Sequence, residues 1–237
     1  MGADAFGLML GDPRLWSIVG LSLSISLSAV AVAALIGLPL GALLALTRFP
    51  GRNLAIVVLN ALMGLPPVLV GLTIYLLLSR SGPLGAWGLL FTREAMIIAQ
   101  AVLVTPIIAA LTRQAVADLW EEYRDELTAL HLGPMARAGA LLWDARFRLV
   151  TAALAGFGRA AAEVGAVMIV GGNIDGFTRT MTTTIALETS KGDLPLAVAL
   201  GLILMLVVLG VNGLVWVIAR RGERNDGIIR SDPLRGA

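Results

Sequence analysis

The chain has 237 residues and no cysteine. Disulfides, thiolate metal sites and thiol nucleophiles are therefore excluded. Histidine is nearly absent. With only His131 present, multi-histidine metal centres and serine–histidine triads are all but ruled out. His131 itself reads as a structural contact or an exposed polar group. Charge is also scarce, at 14% of residues, where a soluble domain carries about a quarter. The basic residues are scattered arginines rather than a patch, although the isoelectric point is about 9.7. That pattern argues against a nucleic-acid partner. No GxxxxGK[ST] phosphate loop occurs, so any ATP-driven step requires a separate ATPase. Residues 1–14 lack the basic n-region of a cleaved signal peptide. There is no tandem repeat or low-complexity tract.

What is abundant is apolar sequence. Hydrophobic residues make up 57% of the chain, and the mean hydropathy is +0.86. The reading is an all-α polytopic membrane protein: one domain over 1–237, with about five transmembrane helices and their loops over 15–219 and a polar tail over 220–237. The first span lies in the uncharged run from Leu15 to Thr47. That run exceeds the roughly 20 residues needed to cross a bilayer, so part must tilt, kink or lie at an interface. Ser22, Ser24, Ser26 and Ser28 form a polar stripe near its start, and Gly37-Leu38-Pro39-Leu40-Gly41 permits close packing and a bend.

The second span, about 54–78, contains Gly64-Leu65-Pro66-Pro67. Two prolines remove two backbone donors, so this helix is expected to be interrupted near its middle. Interrupted backbone within a membrane is tolerated where it lines an enclosed or watery cavity; a simple packing kink is the competing reading. A turn-rich connection over 79–93 follows. The third span runs from about 94 to 117, with Thr105-Pro106 as a further kink. Span four covers about 149–171 and span five about 194–219. The last eighteen residues are polar and expected to fray.

Between spans three and four lies the only long charged amphipathic stretch, Gln114 to Arg148. Val116, Leu119, Trp120, Tyr123, Leu127 and Leu130 recur at three- and four-residue steps, as one apolar helix face requires. Asp118, Glu121, Glu122, Arg124, Asp125 and Glu126 cover the remainder. Gly133-Pro134 then interrupts the helix, because glycine accepts left-handed dihedrals and proline cannot donate. A second short helix is expected over 135–143. Such a bent pair suits docking against another protein better than contact with lipid. Placing it in the cytoplasm puts twelve of the eighteen basic residues inside and five outside, the bias that the positive-inside rule requires. The N-terminus is then outside and the C-terminus cytoplasmic.

Arg159 and Glu163 fall inside span four, four residues apart and so on one helix face. A lone charge at mid-bilayer costs roughly 2.5–3.5 kcal/mol on insertion scales. Two readings stand side by side: an ion pair locking span four to a neighbour, and a gate or cavity-lining element on a substrate route. The segment from Asn173 to Asp193 contains Thr178, Thr180, Thr182, Thr183 and Thr184 with Arg179 and Lys191. It reads as a solvated loop with a short re-entrant helix, or as hydroxyls and cations facing an oxyanion or a delivery protein.

The bent unit resembles the coupling segment of ABC importer permeases of type I, the molybdate- and methionine-permease (MetI-like) fold. That family's motif places an acidic residue and two alanines before a glycine, which stands six positions after the acid. Here, counting back from Gly133 reaches Leu127; counting from His131 reaches Asp125. The usual Ile-x-Leu-Pro tail is replaced by Leu141-Leu142-Trp143-Asp144. ALMGLPPVLVGL from Ala61, LLSRSGPLG from Leu77, GRAAAEVGAVMIVGGNI from Gly158 and TTIALETSKGD from Thr183 are similar to the permease of tungstate-type importers. RxxxExGA, Arg159 to Ala166, is shared more widely with molybdate and sulfate permeases. The resemblance covers about 15–219. It implies a homodimeric permease in the cell membrane, two separate ATPase subunits that hold the ATP and magnesium, and an extracytoplasmic binding protein that delivers the oxyanion. It implies no cofactor or metal in this chain. By the same resemblance, Asp125, Glu126, Leu130 and Gly133 are expected to couple to the ATPase, and Arg159, Glu163, Pro66 and Pro67 to line a pathway or gate. Other cargo such as molybdate or sulfate, an ATP-independent carrier or channel, and a non-transporting scaffold are the alternatives that the residues leave open.

Overall fold

The computed structural model describes residues 13–230, with side chains through Val217. The expectations for residues 1–12 and 231–237 lie outside these. The described residues form nine α-helices and no strand. Three of the helices are long and apolar enough to cross a membrane, and five spans result when each of two bent pairs counts as one.

The first helix, α1, runs unbroken from Pro13 to Leu46, with Pro39 inside it. The long uncharged run is thus one extended helix of about 50 Å at 1.5 Å per residue. Its buried positions Ala29, Val30, Ala33, Gly37, Gly41 and Ala42 repeat at helical spacing. They face α4, which spans Arg93–Ala129. The approach is close because the residues are small. A methyl group on Gly41 would stand 2.5 Å from the Ala109 carbonyl oxygen and 2.7 Å from Thr112 Cβ, and one on Gly37 3.2 Å from the Ala109 nitrogen.

The second span is broken more sharply than a packing kink would allow. Helices α2 (Arg52–Leu62) and α3 (Pro67–Leu78) meet at 100°. Pro66 is extended at φ −64°, ψ 120°, and Pro67 occupies the first turn of α3, where its missing N–H costs nothing. The connection that follows contains a single 3-10 turn, Gly85–Trp87.

Pro106 does not break α4, which continues for 37 residues. At about 55 Å it outruns a hydrocarbon core of about 30 Å. Its charged C-terminal part is therefore an extension of span three that projects beyond the apolar layer. Helix α5 (Pro134–Asp144) folds back beside it. Tyr123 and Leu127 of α4 pack with Leu141 and Ala145 in a cluster that also holds Ala42 and Ala45 of α1.

Span four is not continuous. Helix α6 (Arg146–Ala161) and the one-and-a-half-turn α7 (Gly165–Gly171) are bent by 62°. The segment expected to be a solvated loop with a short helix does carry one, the capped α8 (Met181–Lys191), but Thr178, Thr180, Thr182, Thr183 and Thr184 are buried rather than solvated. The last helix, α9, extends from Leu194 to Arg230, past Ala219 where the fifth span was expected to end. Leu202, Leu206, Leu209 and Leu214 are exposed along it, as a lipid- or protein-facing surface would be.

Candidate functional site

Two places collect the sequence-predicted residues. The first is the bend between α4 and α5. Asp125, Glu126, Leu130 and Gly133 are all exposed there. Glu121, Glu122, Asp125 and Glu126 form no ion pair among the described residues, so the projecting end of α4 carries four uncompensated carboxylates. Apolar side chains stand among them: Leu130 is 67% exposed and Met135 87%. Leu130 thus leaves the apolar face on which its spacing placed it, because α4 ends one residue earlier, at Ala129.

The bend is made differently from the sequence expectation. The left-handed residue is His131, at φ 50°. Gly133 is extended, at φ −64°, ψ 159°, and caps α5. His131 holds the position through its ring, whose Nδ1 lies 2.8 Å from the Ala129 carbonyl oxygen. Pro134 then occupies the first turn of α5. Arg137 reinforces the corner: its guanidinium stacks 4.8 Å from the centre of the Trp120 ring and donates to the Leu132 carbonyl at 3.3 Å.

The second place is where the two broken spans meet. A methyl group on Gly71 of α3 would lie 2.7 Å from Ala166 Cα of α7, and one on Gly165 would lie 3.0 Å from Val68 Cγ2. The Pro66-Pro67 break and the Arg159–Glu163 break, a hundred residues apart in sequence, therefore sit against each other. The contact is backbone to backbone, which glycine permits and larger residues do not.

Glu163 organises this junction. It is only 3% exposed and stands in the break after α6 rather than within a continuous helix. One carboxylate oxygen accepts from the Arg159 guanidinium at 2.6 Å. The other accepts from the Ala166 backbone N–H at 3.0 Å, tying α6 to α7. Its backbone carbonyl accepts from the Thr182 hydroxyl of α8 at 2.8 Å. A buried charge needs such compensation, since an unpaired one costs several kcal/mol. Arg159 is 30% exposed, so the pair has one wet and one dry partner.

Sequence reasoning missed Gln100. This side chain of α4, 3% exposed, donates from Nε2 to the Ala160 carbonyl at 3.0 Å, in the last turn of α6. A lone amide within an apolar run was the available signal. The threonines were identified but their role was not. Thr178 donates to the Gly171 carbonyl at 2.5 Å and accepts from the Ile174 N–H. Thr180 and Thr183 form a capping box for α8. Their hydroxyls serve the fold internally and do not face outward toward an oxyanion. The two cations of this segment are paired as well, Arg179 with Asp175 at 3.0 Å and Lys191 with Glu188 at 2.8 Å. No cluster of metal-ligating side chains occurs among the described residues.

A projecting acidic bend and two broken spans thus stand together in one helical chain, and similarity to known proteins gives them a family. The chain is 44% identical over 213 residues to a "Probable anion ABC transporter permease protein" of Haloferax volcanii, covering 86% of this chain and 92% of that one. It belongs to the ABC transporter anion permeases. It is 40% identical over 205 residues to the tungstate uptake system permease protein TupB of Peptoclostridium acidaminophilum, covering 86% and 90%. To the sulfate transport system permease protein CysW of a Synechocystis strain it is 30% identical over 225 residues, covering 90% and 79%. No family model matches the chain. The permease is thus an all-α, multi-pass membrane component of a transport system.

Proposed function

We propose that this permease carries tungstate into the cell as the membrane subunit of an ABC importer. The observation that carries the reading is the 40% identity to a tungstate uptake permease over nearly all of both chains. Molybdate and sulfate permeases are related more distantly, at 28% for a molybdenum permease of Mycobacterium tuberculosis and 30% for CysW, and their anions are the second reading.

The partners we propose rest on membership of the ABC permease family, and the exposed chemistry of the bend supports the first of them. A separate ATPase, holding ATP and magnesium, docks on the bend between α4 and α5. Asp125 and Glu126 offer it charge, and Leu130 and Met135 offer it apolar surface. The left-handed backbone of His131 supports the register that counts from it. A left-handed dihedral is what makes glycine preferred at that point of the motif, and His131 is the residue that adopts it. Asp125 then takes the acidic position, and Gly133 acts as the cap of α5. ATPase closure pushes this corner, and α4 and α6 transmit the motion to the paired breaks. There Arg159 and Glu163, with the Pro66-Pro67 turn opposite, act as the gate. An extracytoplasmic binding protein delivers the oxyanion. Two copies of this chain enclose the route, with the N-terminus outside and the bend cytoplasmic.

Labelled tungstate uptake in cells with and without the chain, with molybdate and sulfate as competitors, tests the cargo. Chain-dependent uptake that a tenfold excess of either competitor leaves intact is expected. Equal competition by molybdate or sulfate would replace tungstate with the wider anion class.

A further inference from the structure

Beside the Glu163 junction lies a small, partly closed cavity. It is bounded by Ser22 and Ser26 of α1, Gln100 of α4, Ala160 and Ala161 of α6, and Thr180 to Thr182 at the start of α8. Its free volume is about 10 Å³, close to the least that holds one water molecule. A tetrahedral oxyanion does not fit it. Its walls mix polar and apolar side chains, and two of the polar groups lack partners. Gln100 Oε1 is fully shielded and accepts no hydrogen bond. Ser26, 3% exposed, forms no hydrogen bond among the described residues. Around them the other hydroxyls are already engaged: Ser22 donates to the Ile18 carbonyl and accepts from the Met181 N–H at 2.8 Å, and Thr182 donates to Glu163.

A buried amide oxygen without a donor costs about 1–3 kcal/mol. A neighbouring serine hydroxyl that is also unpaired doubles the motive for a bridge. The species that satisfies both must be small, neutral and able to donate two hydrogen bonds while accepting others. We propose that this cavity is a resident water site. The water donates to Gln100 Oε1, bonds to the Ser26 hydroxyl, and joins α1, α4 and α8 behind the span-four break. Gln100 then has a double function: Nε2 caps the broken end of α6, and Oε1 anchors the water. An adjoining hollow of similar size shares Ser22 and Ser26 with it, but its other walls, among them Leu23, Phe157, Val207 and Val208, are apolar, and that side stays dry. The water site belongs to the fold and is the same whichever anion is carried.

Radiolytic footprinting reads such a site directly, because an ionising pulse makes hydroxyl radicals from bound water as well as from bulk. Met181 lines the cavity and is 1% exposed. Met96 is 0% exposed in an apolar cluster and is the internal reference. In the full-length chain in lipid nanodiscs, Met181 is expected to be oxidised at least threefold faster than Met96. Ser26→Val, which fills the cavity, and Gln100→Leu, which removes the acceptor, should each bring Met181 down to the Met96 rate. A Met181 rate no greater than that of Met96 in the unmodified chain would overturn the proposal, whether or not the variants fold. A fast Met181 that ignores both substitutions would also overturn it.

Discussion

Glu163 carries three attachments with one residue: a charge partner on α6, a backbone N–H of α7 and a hydroxyl from α8. Arg159→Ala leaves the buried carboxylate with the single Ala166 N–H and should destabilise the permease by about 3–5 kcal/mol, the usual cost of breaking a buried pair. Adding Glu163→Gln removes the stranded charge and keeps an acceptor for Ala166. The double variant should therefore unfold at a higher temperature than Arg159→Ala alone, measured on detergent-purified protein. A double variant no more stable than the single would mean that the pair is more than charge compensation. At the bend, Gly133→Ala should be tolerated, because the backbone there is extended and a methyl group meets nothing within 4 Å. His131→Val should cost about 1–2 kcal/mol, since a β-branched residue resists φ 50°. Thermal unfolding of the two variants side by side checks this; an equal loss at both positions would contradict it. The residue scale is where the sequence was least legible. Gly133 looked like the left-handed residue because glycine is the usual one, yet the ring of His131 anchors that geometry. The threonines looked solvent-facing because hydroxyls are polar, yet they are buried, and backbone carbonyls of the fold accept their hydroxyls.

At the scale of elements, the spans themselves were readable. Long uncharged runs and the Pro66-Pro67 pair mark spans and one break through hydropathy and missing donors, which are local properties. The second break was not marked. Nothing between Arg159 and Gly165 forbids a helix, and the bend at Ala162 to Val164 is held by contacts from α3, α4 and α8 that local pattern does not contain. The pairing of α3 with α7 is likewise tertiary, and it makes a prediction. Gly71→Leu cannot be accommodated against Ala166 Cα without backbone movement. It should lower stability by about 1–3 kcal/mol, as overpacking does, and should separate the two breaks. Crosslinking between cysteines placed at Val68 and Gly165 reads the separation. Unchanged crosslinking in the Gly71→Leu background would show that the close approach is not required. The small-residue seam between α1 and α4 should be as intolerant at Gly41.

For the whole molecule, the projecting corner ends α4, and α4 packs along α6 and α7, whose break faces the α2–α3 break. On the proposed coupling, a push on the corner would travel to the junction along packed helices rather than through a loop. The four exposed carboxylates do not support the fold, so Asp125→Lys with Glu126→Lys should leave membrane insertion and thermal stability intact while releasing the ATPase on co-purification. Retention of the ATPase by that variant would move the docking surface elsewhere. Uptake of labelled tungstate in energy-manipulated cells tests whether transport is driven by ATP through a separate subunit. Uptake that requires the chain, stops when ATP is depleted and survives collapse of the ion gradients is the predicted result. Uptake that survives ATP depletion and stops when the gradients collapse would contradict it and make the chain an ion-coupled carrier.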